Sequence, residues 1–155
     1  MDSFNNLEKI KKEVSDFFEK MTFEAEVQSV EQKEEILNIS LKTEEPQILI
    51  GERGETLFAI QHLLKLILKK KLGVEGIFYV DLDINDYKKK KIAYLKEVAH
   101  SSAEEVVLTK KEKILTPMSA YERRIIHMEL AETPGIETES IGEEPDRRIV
   151  VKLKE

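Results

Sequence analysis

"ILIGERGETLFAIQHLLKLILKKKLG", residues 48–73, sets two glycines three residues apart between a short apolar run and a long segment of helical periodicity. From Glu55 to Leu72 the apolar residues Leu57, Ile60, Leu64, Ile67 and Leu68 recur at spacings of three and four, which gathers them on one helix face. Gly73 stands where a left-handed C-cap is expected, and Lys69, Lys70 and Lys71 occupy the last turn, where positive charge complements the macrodipole. Upstream, Pro46 is suited to open a short helical turn, "PQILI". Gly51-Glu52-Arg53-Gly54 is then a tight connection between two helices. Paired glycines permit such a turn and also leave no side chain to hold another backbone away.

Working outward, Leu7, Ile10, Val14, Phe17 and Phe18 predict an amphipathic helix over 5–19. Phe23, Ala25 and Val27 alternate with polar residues, as do Leu37, Ile39 and Leu41 after "EQKEE", which reads as an antiparallel hairpin. Residues 77–84 alternate again, with Phe78, Val80, Leu82 and Ile84 on one side. Asn85 is placed to cap a second long helix, whose stripe from Tyr94 and Leu95 through Val98, Ala99, Ser102, Ala103, Val106 and Val107 runs to about Leu108. "KEKILTP" predicts a short strand, and Ser119 caps a helix with Glu122 as its capping-box partner. "IETESI" and "RRIVVKLK" predict two closing strands. The expected architecture is α/β of the α+β type: two small domains, 1–84 and 85–155, joined by a long helix.

Composition bounds the function. A 155-residue chain with 41% hydrophobic and 36% charged residues can bury one ordinary core or two small ones. It has no cysteine, and its three histidines show no zinc-ligand spacing, so no metal and no cofactor is implied. No apolar stretch approaches the roughly 18 residues of a membrane span, and the N-terminus lacks a signal-peptide pattern, which makes a cytoplasmic protein the expectation. The formal net charge of -6 is unevenly spread: residues 1–45 carry 12 acidic and 6 basic side chains, and residues 46–155 carry 19 of each. Phosphates respond to local potential within about 8–10 Å, so the basic clusters are read by themselves. Lys88 to Lys91 fall in the first turns of a helix, where the dipole opposes them. Phosphate contact and simple solvation explain them equally well.

The glycine loop lacks the Gly-Lys-Ser/Thr of a nucleotide-triphosphate loop and the third glycine of a dinucleotide fingerprint. Its setting, helix, strand, strand, short helix, Gly-x-x-Gly, helix, strand, resembles the KH domain in its prokaryotic, type II arrangement. That resemblance implies that Gly51, Glu52, Arg53 and Gly54 clamp single-stranded nucleic acid against an apolar groove lined by Ile48, Ile50 and Ile60 or their neighbours.

In "LTPMSAYERRIIHMEL", Arg123 and His127 stand at i and i+4 on one helix face. With the downstream "IETESIGEEPDRRIVV", the segment is similar to the R-three-H domain. A KH domain followed by an R-three-H domain resembles the bacterial Jag (SpoIIIJ-associated) family over about residues 20–155. The resemblance implies a non-catalytic protein that binds RNA or single-stranded DNA and serves as a post-transcriptional regulator tied to cell elongation or envelope processes. The nucleic-acid contacts expected are Lys88 and Lys91, from the placement of the lysine run, and, from the resemblance, Arg123, Arg124, His127, Arg147 and Arg148. The alternative is an adaptor that uses the KH fold for docking, with a small KH-domain protein or a second copy as partner. Family members commonly begin with an additional small N-terminal domain, whereas this chain starts on an acidic helix.

Overall fold

The computed structural model of the chain describes residues 3–73 and 78–155. Two compact units emerge, Met1–Lys88 and Lys89–Glu155.

The first unit runs α1 (Ser3–Lys20), β1 (Ala25–Lys33), β2 (Ile36–Thr43), α2 (Pro46–Ile50), a 3-10 turn (Glu52–Gly54), α3 (Glu55–Leu72) and β3 (Tyr79–Ile84). Its sheet has the order β1-β2-β3, with β2 antiparallel to β1 and parallel to β3. Strict alternation in β2 and β3 turns Leu37, Ile39, Leu41, Val80, Leu82 and Ile84 inward, where Ile10, Val14 and Phe18 of α1 and Leu57, Ile60, Leu64 and Leu68 of α3 cover them. Four of the five residues of the helix stripe read from the sequence thus form the core face of α3, while Ile67 is half-buried and outside that core. Gly73 caps α3 in the left-handed region at φ 60°.

β1 is longer than its alternation suggests. A bulge between Val27 and Ser29 lets Val27 pair with Leu41 and Val30 with Ile39, so Val30 returns to the inner side after an odd step. Most of "EQKEE" is therefore strand, and only Glu34 and Glu35 turn the hairpin. The predicted start of the next strand at Ile77 lies outside the described residues.

Asn85 does not cap the next helix. α4 (Tyr87–Thr109) receives its first-turn bond from Asp83, whose carboxylate accepts the Lys88 N–H at 3.2 Å. Asn85 is held in the left-handed region, φ 52°, and its amide side chain is committed to Thr43.

The second unit takes the rest of α4, then β4 (Lys113–Ile114), α5 (Ala120–Leu130), β5 (Ile136–Ile141) and β6 (Arg148–Leu153). β6 lies between β4 and β5, antiparallel to both. Leu95, Ala99, Ala103 and Val106 of α4 form a core with Leu115, Met118, Ile126, Leu130, Ile136, Ile149 and Val151. Tyr94 and Val107, at the margins of the predicted stripe, are exposed. Ser119 and Glu122 close the capping box of α5: the Ser119 hydroxyl accepts from the Glu122 N–H at 3.3 Å, and the Glu122 carboxylate accepts from the Ser119 N–H at 2.7 Å.

Candidate nucleic-acid interface

In the first unit the glycine loop is a sequence of left-handed and glycine-only conformations. Gly51 sits at φ 73°, ψ -177°, Arg53 at φ 52°, ψ 20°, and Gly54 at φ 79°, ψ 11°. The two glycines are needed for different reasons. A Cβ on Gly51 would collide with the Thr56 side chain and stand 3.0 Å from the Thr56 backbone nitrogen. A Cβ on Gly54 would meet only the Tyr87 ring edge and hydroxyl, at 3.7 Å or more, an ordinary contact. Gly54 is buried, whereas Glu52 and Arg53 present their side chains to solvent. The loop thus offers one cation and one anion at the start of α3, which has no side-chain N-cap.

Lys88 is tied into the fold. Its ammonium pairs with Asp81 and donates to the Gln61 side-chain oxygen at 3.0 Å, and that same oxygen accepts the Leu82 N–H at 2.9 Å. Gln61 therefore satisfies a backbone donor of β3, and Lys88 is the counter-charge of this bridge. Lys65, one turn along α3, lies over Tyr79 at 5.0 Å from the ring centroid. Lys71 pairs with Glu13 at 2.6 Å. Of the residues expected to line a groove, Ile48 is exposed and Ile50 half-buried, but Ile60 is a core residue at 5% exposure. The reason is its position on the sheet-facing side of α3. The large apolar residues that α3 does expose are Phe58, Leu63 and Leu66.

In the second unit, α5 and β5 share a polar edge. His127 Nδ1 lies 2.6 Å from the Thr138 hydroxyl, and Arg147 Nε donates to the Ser140 hydroxyl at 2.8 Å. Thr138 and Ser140 are two apart on one strand, so they share a face about 7 Å apart, and they bring His127 and Arg147 alongside each other. Burial, and secondarily the Arg123 guanidinium, hold the His127 imidazole below its ordinary pKa, so it is neutral at pH 7.

Arg123 is buried. Nη1 donates to the Met118 carbonyl at 2.7 Å, and Nη2 pairs with Glu144 at 2.6 Å. Its neighbour Arg124 is exposed, on the outer face of α5 between Tyr121 and Met128, which are 61% and 67% exposed. Arg148 Nε donates to the Asp146 carbonyl at 3.0 Å.

Lys91 pairs with Glu122 at 3.0 Å and lies over Tyr94. Burial works to raise the Glu122 pKa, but Lys91 and the bonds from Ser119 outweigh it, and the carboxyl is held below its ordinary value. Of the lysine run, the exposed members are Lys89 and Lys90. Periodicity alone did not separate them from Lys88 and Lys91, because the anions that engage those two lie on other elements, Asp81 on β3 and Glu122 on α5. Tyr121 and Thr138 were likewise not singled out. Tyr121 had a signal, since it stands three residues before Arg124 on one face of α5; nothing within β5 marks Thr138, which meets His127 only through the fold.

Among the described residues there is no group of acidic and histidine side chains that could hold a metal ion, and no helix long and apolar enough to cross a membrane.

Comparison with known proteins follows the two units. The KH domain of KhpA/KhpB matches residues 7–75, and the R-three-H domain matches residues 93–153. RNA-binding protein KhpB of Clostridium symbiosum is 38% identical over 121 residues, covering 78% of this chain and 54% of that protein. Its namesake in Lactiplantibacillus plantarum is 36% identical over 116 residues, 75% of this chain and 35% of the relative. The Bacillus subtilis protein of the same name is 33% identical over 128 residues, 81% and 61% respectively. The chain thus spans between about a third and three fifths of the length of these curated relatives.

Proposed function

The chain belongs to the Jag/KhpB type, a KH domain followed by an R-three-H domain, and from that premise we propose that it binds single-stranded RNA without acting on it chemically. The observation that carries the proposal is the edge of the second unit, where exposed Arg124 stands between Tyr121 and Met128, and where His127 and Arg147 are aligned by two hydroxyls of one strand. Cations beside exposed apolar and aromatic surface suit a single strand, which offers both phosphates and unstacked bases. Neutral His127 acts there as a hydrogen-bonding group rather than as a charge. Arg148, held to the Asp146 carbonyl next to Arg147, adds to the local potential.

In the first unit, the loop from Gly51 to Gly54 is the proposed clamp, with Arg53 as its cation. Glu52 beside it keeps this site weak alone. The relatives carry the name RNA-binding protein, which agrees with RNA as the ligand. A post-transcriptional role in cell elongation or envelope processes is part of the same proposal and rests on the family resemblance.

The test is fluorescence anisotropy with a labelled decamer of single-stranded RNA over rising salt. Affinity should fall with a log–log slope of about 0.7 for each phosphate contact. The same sequence as a duplex should bind more weakly. No binding of the single strand at low salt would refute the proposal. Crosslinking in the host, followed by sequencing of the attached RNA, tests the regulatory part, which fails if envelope and elongation transcripts are not enriched.

A second reading is favoured by the exposed apolar residues of α3, Phe58, Leu63 and Leu66. An exposed set of this kind suits a protein partner, and the chain would then be an adaptor. Phe58→Glu separates the two: loss of a co-purifying protein with RNA affinity intact supports the adaptor.

A further inference from the structure

The inference rests on the RNA-binding reading and concerns what holds the polar edge of the second unit in shape. Arg123 supplies the arginine of the Arg-x-x-x-His spacing, yet it is only 8% exposed and its guanidinium is engaged at both ends. Both partners lead to Arg147. Met118, whose carbonyl Arg123 holds, donates its own N–H to the Arg147 carbonyl at 3.2 Å. Glu144, the other partner, lies in the turn that delivers Arg147, closed by the Asp146 N–H on the Glu143 carbonyl at 2.8 Å. That turn is packed against itself: Gly142 sits at φ 85°, and a Cβ there would stand 3.5 Å from the Arg147 Cα. From this turn the Arg147 side chain reaches Ser140 on β5.

We infer that Arg123 and Glu144 are a positioning pair: together they hold the 142–147 turn so that Arg147 meets the RNA, and neither touches the strand. The guanidinium suits this role because its planar fork bonds a carbonyl and a carboxylate at once, which a single ammonium does less well. The consequence runs against simple electrostatics. Glu144 is a carboxylate with a side chain 59% exposed beside a proposed phosphate-binding edge, so its removal would ordinarily strengthen binding to a polyanion. As a positioning residue, its removal weakens binding.

The experiment measures the affinity of the full chain for the single-stranded RNA decamer over rising salt, for the parent and for Glu144→Ala, Glu144→Gln, Arg123→Lys, Arg147→Ala and Glu144→Ala/Arg147→Ala. Glu144→Ala should lose roughly three- to tenfold in affinity and flatten the salt slope as Arg147→Ala does, by about one contact. The double variant should bind no more weakly than Arg147→Ala, because both changes remove the same contact. Glu144→Gln keeps an oxygen for the guanidinium and should restore most of the loss, while Arg123→Lys should resemble Glu144→Ala. Thermal melts check that the variants are folded; Glu144 sits in an exposed turn, so its substitution keeps the test open even if Arg123→Lys unfolds. A Glu144→Ala chain that binds as tightly as the parent or more tightly, or losses that add in the double variant, would overturn the inference while leaving RNA binding intact. A parent that binds no RNA at low salt removes the functional reading and this inference together.

Discussion

The side chain of Asn85 closes both backbone groups of Thr43, accepting from its N–H at 2.9 Å and donating to its carbonyl at 2.8 Å. The Asn85 N–H meanwhile donates to the Leu41 carbonyl at 2.9 Å, so one residue prolongs the parallel pairing of β2 and β3 beyond its last regular pair. Asparagine tolerates the left-handed conformation this demands better than most residues. Asn85→Ala should destabilise the first unit by about 2–3 kcal/mol, from two lost bonds and the backbone cost. Asn85→Gly, which relieves the backbone but not the bonds, should cost about 1–2 kcal/mol. Urea denaturation of both variants checks the order; equal losses would remove the backbone part of the account.

The two glycines of the loop should respond unequally. Gly54→Ala places a methyl in ordinary contact with Tyr87 and should cost about 1–2 kcal/mol for the left-handed backbone. Gly51→Ala drives a methyl into Thr56 from a conformation only glycine adopts readily, and should cost about 3 kcal/mol or more. Gly54→Ala is therefore the better probe of close RNA approach, since loss of binding there is less confounded by loss of the turn than at Gly51. Melting temperatures of the two alanine variants decide it, and a Gly51→Ala chain as stable as Gly54→Ala would contradict the packing argument.

Cations that the fold does not engage should dominate the salt dependence. Arg124→Ala should weaken RNA binding and lower the salt slope by about 0.7, the value of one single-strand contact. Lys88→Ala should leave the slope nearly unchanged, because its ammonium is already matched by Asp81, and should instead lower stability. Anisotropy titrations at several salt concentrations compare the two directly; a larger slope change for Lys88→Ala than for Arg124→Ala would show that RNA displaces Asp81.

The depressed pKa of His127 gives stability a signed dependence on pH. The unfolded imidazole takes up its proton near the ordinary 6.5, the folded one only at lower pH. Stability from neutral His127 is thus complete above that ordinary value and is lost as pH falls through the folded value. Denaturation at pH 7.5 and 5.5 should show a smaller decline for His127→Asn than for the parent. An identical decline would mean that the imidazole is not held neutral by its burial and by Arg123.

Much of this architecture was legible because it follows from periodicity. The α3 stripe, the Gly73 cap and the Ser119–Glu122 capping box all appear where spacing places them. The family resemblance was legible for a different reason: "SIGEEPDRRIVV" and the spacing of Arg123 and His127 form a long, specific pattern. What spacing could not carry was partnership between distant residues. Asn85 had the composition of a helix cap, but Asp83 took that bond and Asn85 turned to Thr43, forty-two positions away. Arg123 and Arg124 are adjacent and chemically alike in sequence. A rotation of about 100° per residue along the helix sends one into the core and the other to solvent, and only the folded chain shows Met118 and Glu144 waiting for the first. The β1 bulge is a third case, since one inserted residue reverses the parity on which strand reading depends.

The cramped setting of Gly51 has an evolutionary side. Any descendant that keeps this helix–turn–helix passage with a threonine at 56 is held to glycine at 51, whether or not a nucleic acid ever approaches it. A lineage that abandoned RNA altogether would go on displaying half of the Gly-x-x-Gly signature, preserved by selection for a folded chain. Drift after loss of function would surface first at Glu52, whose exposed side chain no such collision constrains, so that position carries a better historical record of binding than Gly51.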